Sequence, residues 1–278
     1  LVEMKEDGTI APWLAKSWTV SPDRRKYTFQ LEQGVKFHDG SPFNAEAVAF
    51  VYNEAKAKKF IYSSILEGFE GAKAESENEV SMTFSSPFAA LIPNLAYRPL
   101  CIFSPTAYKT KGEQWMATNI VGTGPFIQKE FVKGEHIRFV RNPDYWQKGK
   151  PYLDAVKIIV VADPAIRSVM LEKGEIDRTV RLNDFDLARL EKNKDVKIRV
   201  VPSTRQYYIA LNHMVPAFAN VNVRKAFNYA MDKTGIVKSV FADRGAVLAK
   251  APTLSPGVYG YTEMTNSGER SEEHTSEL

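Results

Sequence analysis

His38, His136, His213 and His274 are the imidazoles of this chain, and imidazole is the side chain best suited to bind a metal or move a proton near neutral pH. They lie far apart in sequence and none shows the close pairing that marks a zinc site. Each of the first three reads as a turn, strand or loop residue, and His274 falls in a polar C-terminal run. Asp184 and Asp186 suggest a carboxylate pair, but residues two apart on a helix point in different directions, so a solvated helix start is the plain reading. Gly122-Thr123-Gly124 lacks the third glycine of a dinucleotide fingerprint and runs into Pro125; neither a Gly-x-Ser-x-Gly elbow nor a phosphate loop occurs. Cys101, the one cysteine, stands between Leu100 and Ile102 and reads as a small buried apolar residue; alone it makes no internal disulfide. No catalytic residue, metal ligand or cofactor is expected.

The elements around these residues are clear. Residues 35–48, Val-Lys-Phe-His-Asp-Gly-Ser-Pro-Phe-Asn-Ala-Glu-Ala-Val, join a strand end, a turn and a capped helix. Tyr27, Phe29 and Leu31 alternate with Thr28 and Gln30 as a half-buried strand. Asp39-Gly40 supplies the turn, Asn44 the N-cap and Glu46 an anion in the first helical turn, after which Val48, Val51, Tyr52 and Ala55 recur at helical spacing. Trp18–Val20 pairs with 27–31 across a turn-forming loop; Val80, Met82 and Phe84 make another strand; residues 126–132 and 136–140 form a hairpin about Lys133-Gly134. From 156 to 161 an apolar strand leads into Asp163-Pro164, a cap followed by proline at the first helical position, and Gly174 ends that helix. Strands are predicted at 196–200 and 207–211, then a helix opening near Asn222 with Val223, Ala226, Phe227 and Ala230 on one face. The class is mixed α/β.

Composition fits this. Of 278 residues 44% are hydrophobic and 12% aromatic, enough for a large core or two domains. Residues 270–278, Arg-Ser-Glu-Glu-His-Thr-Ser-Glu-Leu, resemble a translated sequencing adapter and are set aside as outside the fold, which moves the net charge from +4 to +6 (36 basic against 30 acidic). The basic residues are interspersed with acids, so no nucleic-acid footprint is present. No stretch has the apolar length of a membrane span.

The 35–48 string resembles the signature of extracellular solute-binding protein family 5, the receptors of peptide and nickel ABC importers. Gly122-Thr123-Gly124-Pro125-Phe126 is similar to that family's turn before a hairpin, and Arg141-Asn142-Pro143-Asp144-Tyr145-Trp146 to its post-hairpin segment. Glu172-Lys173-Gly174-Glu175-Ile176-Asp177 and residues 223–232 match two further segments in the same order. The resemblance implies a periplasmic-binding-protein-like α/β fold of two lobes closing on a ligand, with an extra subdomain in lobe I. Members are roughly twice this length, so it implies lobe I at 1–212, with an inserted subdomain at roughly 22–150. The start of lobe II would occupy 213–266, and a tail 267–278.

Residues 97–105, Tyr-Arg-Pro-Leu-Cys-Ile-Phe-Ser-Pro, resemble the nickel-binding type most. In those members the arginine before this proline faces the cleft and pairs with chelator carboxylates, and Arg98 matches it; a surface-loop arginine or a structural ion pair is the alternative. Tyr62 falls near an aromatic of that cleft, with a core or rim tyrosine as the alternative. The resemblance thus implies a non-enzymatic receptor that captures nickel as an anionic chelate and delivers it to ABC permease transmembrane subunits. It would act as a monomer, in the periplasm or as a cell-surface lipoprotein. A dipeptide or oligopeptide receptor is the alternative ligand class; a diverged binding domain that no longer transports, or an enzyme with an unrecognised site, are alternatives of other classes.

Overall fold

The structure, a computed structural model, describes residues 1–5, 8–60, 65–200, 205–241, 246–248 and 258. Tyr62 and residues 270–278 lie outside this set. Two compact units divide the chain, Leu1–Val160 and Val161–Leu278.

In the first unit β1 (Val2–Met4) and β2 (Ile10–Pro12) form an antiparallel pair. β3 (Ala15–Val20) and β4 (Lys26–Leu31) make the predicted hairpin, α1 (Ala45–Ala57) follows, and β5 (Phe69–Ala74) and β6 (Glu79–Phe84) complete an antiparallel sheet of order β3-β4-β6-β5. α2 (Leu91–Leu95), a 3₁₀ turn at Arg98–Leu100, α3 (Pro105–Lys111) and α4 (Glu113–Met116) then lead to the antiparallel sheet β7 (Phe126–Val132), β8 (His136–Arg141) and β9 (Ala155–Ile159).

The alternation in β4 sorts its faces as predicted: Tyr27, Phe29 and Leu31 are buried, while Lys26 and Gln30 are exposed. Their buried face joins Val80, Met82 and Phe84 of β6 and the apolar stripe of α1, Val48, Val51 and Tyr52, in one core. Edge-to-face aromatic contacts run through it, Tyr27 to Phe84 at 6.0 Å and Tyr52 to Phe69 at 6.4 Å between centroids. α1 starts where Asn44 Oδ1 accepts the Ala47 N–H at 2.9 Å. It is tied to β5 by Asn53, whose amide accepts from Ala72 N–H and donates to Ala72 C=O, both at 2.8 Å.

The second unit holds α5 (Pro164–Glu172), α6 (Asp184–Leu190), α7 (Pro216–Ala219), α8 (Val221–Ala230) and α9 (Lys233–Phe241). Asp163 caps α5, and Gly174 follows it with φ +70°, as predicted. α8 is capped by Asn220, two residues before the position read from sequence, because the Asn220 side chain accepts the Asn222 N–H. The strands predicted at 196–200 and 207–211 are not formed. Val200, Tyr207, Tyr208 and Ile209 stand exposed, and no described segment pairs with them. Alternation marks one apolar face, but a strand exists only where a neighbour takes up its N–H and C=O groups.

Asn44→Ala removes the acceptor at the start of α1 while leaving the core intact, and we expect it to lower the unfolding free energy by about 1 kcal/mol. Thermal or urea denaturation of the two proteins measures this; equal stability means the cap contributes nothing.

Candidate functional site

Phe37–Ser41 folds into a tight turn in which Phe37 N–H donates to Ser41 C=O at 2.9 Å and Gly40 takes φ +83°, a conformation that costs glycine little. The turn presents His38 to the 122–125 segment. His38 N–H donates to Gly122 C=O at 2.8 Å, its imidazole Nε2 lies 3.0 Å from Gly124 C=O, and Gly122 N–H points back to Nδ1 at 3.4 Å. These partners select the neutral tautomer with hydrogen on Nε2. Asn142, itself buried, donates its side-chain amide to the same Gly124 C=O at 3.0 Å and its backbone N–H to Pro125 C=O at 2.9 Å. Three of the strings that carry the family resemblance thus meet at one carbonyl.

The next residue, Asp39, accepts the Ser41 hydroxyl at 2.6 Å, the Ser41 N–H at 3.0 Å and the hydroxyl of Ser104. Ser104 is fully buried; its Oγ also caps α3 by accepting Ala107 N–H at 3.0 Å, and its backbone N–H donates to Val121 C=O at 2.9 Å. Burial pushes the Asp39 carboxyl up, but the hydrogen bonds from Ser104 and Ser41 outweigh it, so its pKa is lowered. Sequence reading took His38 and Asp39 for turn residues and missed these bridges, whose partners lie 86 and 65 residues away.

Just before Ser104 lies the Arg98 turn. Leu95, Leu100 and Ile102 are buried, whereas Tyr97, Arg98, Pro99 and Cys101 face outward. Leu100 N–H donates to Tyr97 C=O at 3.0 Å, Cys101 N–H to Arg98 C=O at 3.1 Å, and the buried Tyr52 hydroxyl donates to Leu100 C=O at 3.1 Å. Cys101 was predicted to be buried and is exposed. The chain is extended there, so the buried positions 100 and 102 leave 101 on the opposite side. The exposed Arg98 guanidinium has no hydrogen-bond or ion-pair partner among the described residues, so it is not part of a structural ion pair with them. Its planar fork can take a carboxylate by two parallel hydrogen bonds. Recesses of about 190 Å³ (Thr118, Gln128, Phe131 among the lining) and about 120 Å³ (Tyr52, Leu66, Phe69) are not lined by Arg98.

The other candidates separate. His136 lies in β8 at 3.1 Å from Glu130, and His213 is exposed in a turn. The Asp186 carboxylate is ion-paired with Arg189 at 3.0 Å, chiefly through which its pKa is lowered, and Arg189 also reaches Glu172. It is thus largely covered, where a solvated helix start was predicted. No cluster of three metal-binding side chains occurs among the described residues, nor is any helix there long and apolar enough to cross a membrane.

The chain belongs to the bacterial extracellular solute-binding proteins, family 5, whose middle-region model matches residues 9–273. It is 34% identical over 231 residues to the glutathione-binding protein GsiB of Escherichia coli K12, covering 82% of this chain and 45% of that protein. The oligopeptide-binding protein AppA of Bacillus subtilis, in complex with a nonapeptide, superposes with a TM-score of 0.81 at 27% identity over 94% of this chain and 53% of that one. NikZ of Campylobacter jejuni, in complex with Ni(L-His), does so at 0.76 and 25% over 87% and 49%. NikA of Brucella suis, with Fe(III)-EDTA, gives 0.72 and 30% over 88% and 50%. The α/β architecture read from sequence is the observed one, and the chain spans about half the length of these relatives.

The lowered pKa of Asp39 makes a prediction with a definite sign. Its bridge contributes stability above the ordinary carboxylate pKa of about 4, and that stability is lost as pH falls through the lower folded-state value. Asp39→Asn should therefore be less stable than the native chain at pH 7, with the difference shrinking on acidification. Denaturant midpoints measured from pH 7 down to about pH 2 test it; a gap independent of pH refutes the bridge as its source.

Proposed function

We propose that the protein captures nickel as an anionic metal–chelator complex, with Arg98 holding a chelator carboxylate, and delivers it to the transmembrane subunits of an ABC importer. The observation that carries the carboxylate contact is the state of Arg98: a cation in water, on a turn whose flanking Leu100 and Ile102 are anchored in the core, opposed by no described acid. The likeness to NikZ with Ni(L-His) and NikA with Fe(III)-EDTA supports a chelate. A second reading, a peptide or glutathione ligand, is favoured by the 34% identity to a glutathione-binding protein and by the likeness to AppA with its nonapeptide. Histidine, EDTA, peptides and glutathione all carry carboxylates, so Arg98 has the same task in both.

In this reading the solute is bound and released unchanged by a monomeric receptor about twice this length, in the periplasm or anchored as a lipoprotein at the cell surface. Residues 1–212 belong to the lobe that carries Arg98, Tyr62 is a further ligand-binding candidate by its resemblance to an aromatic position of the nickel-binding members, and the chain crosses to the other lobe at 212–220. An open wall binds weakly, because contacts left in water are screened.

In the full-length receptor, Arg98→Ala should weaken binding of nickel with excess L-histidine by more than tenfold, since losing one partner of a buried charge pair costs about 2–5 kcal/mol. Arg98→Lys should recover part of this, keeping charge without the fork. Calorimetry checks affinity and scanning calorimetry the ligand-free melting point, which should hardly move. Unchanged affinity with a lower melting point would make Arg98 structural. Titrations with L-histidine alone and with metal-free glutathione separate the two ligands, because only the second reading gives binding without nickel.

A further inference from the structure

Tyr52 is the most deeply set polar side chain that reaches the Arg98 turn. It projects from the core-facing stripe of α1, is 1% exposed, and packs edge-to-face on Phe69. A phenylalanine would fill that apolar setting equally well, so the hydroxyl calls for a reason. It donates to the Leu100 carbonyl at 3.1 Å, in a buried contact. Leu100 closes the turn that Arg98 opens, and the turn's two internal bonds, Leu100 N–H to Tyr97 C=O and Cys101 N–H to Arg98 C=O, both end within one residue of that carbonyl. Burial raises the phenol further above its usual range, so the donor persists at any working pH.

We propose that Tyr52 is a positioning residue for carboxylate capture: by tethering Leu100 C=O to α1 it holds the 98–100 turn, and with it the guanidinium of Arg98, in the geometry that a bidentate contact requires. This rests on the carboxylate reading of Arg98. A loose turn must be ordered when the ligand arrives, and that ordering subtracts from affinity; a turn fixed beforehand avoids this backbone part of the cost. The tether also gives the Leu100 carbonyl a donor in a buried setting.

The test is Tyr52→Phe, which keeps the ring and its packing and removes the hydroxyl alone. In the 278-residue chain, amide hydrogen exchange at Leu100 and Cys101 should quicken by about tenfold, the scale of one lost hydrogen bond. In the full-length receptor, affinity for nickel with excess L-histidine should fall about fivefold to tenfold. Affinity for nickel with imidazole, which offers no carboxylate, should stay unchanged. In an Arg98→Ala background the Tyr52 substitution should cost no further affinity, since its effect passes through Arg98. Unchanged exchange in the turn overturns the tether whatever Arg98 does, and a full additive loss in the Arg98→Ala background overturns its action through Arg98. Quickened exchange together with normal binding by Arg98→Ala overturns the carboxylate reading itself and, with it, the part assigned to Tyr52.

Discussion

A single carbonyl, that of Gly124, holds the first unit's distant segments in register. It accepts from the His38 imidazole on one side and the Asn142 amide on the other, so the turn after β4, the entry to β7 and the exit from β8 are fixed to one point. A carbonyl has two lone pairs, and here both are used by side chains 104 residues apart in the sequence, near opposite ends of the first unit. The adjoining carboxylate of Asp39 extends the same joint to Ser104 and thus to the start of α3. Local chain preference fixes none of these contacts; each closes a long loop, and the gain of several hydrogen bonds at one place offsets the entropy of closing them.

From that joint the segment leading back to Arg98 acquires its shape. Ser104 is pinned by its side chain and its backbone, and Leu95, Leu100 and Ile102 are pinned by burial, which leaves Tyr97, Arg98 and Pro99, between the two leucines, on the outer surface. Exposing Tyr97, Arg98 and Pro99 is therefore a result of what is buried around them. An arginine held this way keeps its charge in water at little cost, whereas a buried one would need an acid beside it. The chemistry available to the surface is set by packing beneath it.

Much of this was legible in the sequence, for identifiable reasons. The N-caps Asn44 and Asp163, the glycine turns and the alternation of β4 are local, and each was read where it occurs. β5 escaped notice because Phe-Glu-Gly-Ala-Lys-Ala has neither alternation nor β-branched residues; it is a strand because β6 pairs with it. The opposite error, at 196–200 and 207–211, came from alternation without a described partner. Arg98 could be singled out by its resemblance to a family position, but its setting could not: the bond from Tyr52 spans 48 residues, and Cys101 faces out because of what its neighbours do. Side chains whose role is set by a distant partner carry little local signal.

The amide of Asn53 has a consequence for the protein's behaviour outside the folded monomer. β5 is an outer strand of its sheet, and an outer strand offers a row of unpaired backbone groups onto which another chain can add. Asn53 takes both the N–H and the C=O of Ala72, and Lys56, one turn along α1, donates to the carbonyl of Glu70 at 2.6 Å. The helix thereby occupies the sites through which a neighbouring molecule would zip onto this sheet, so that folding of α1 onto β5 also closes a route to fibrous self-association.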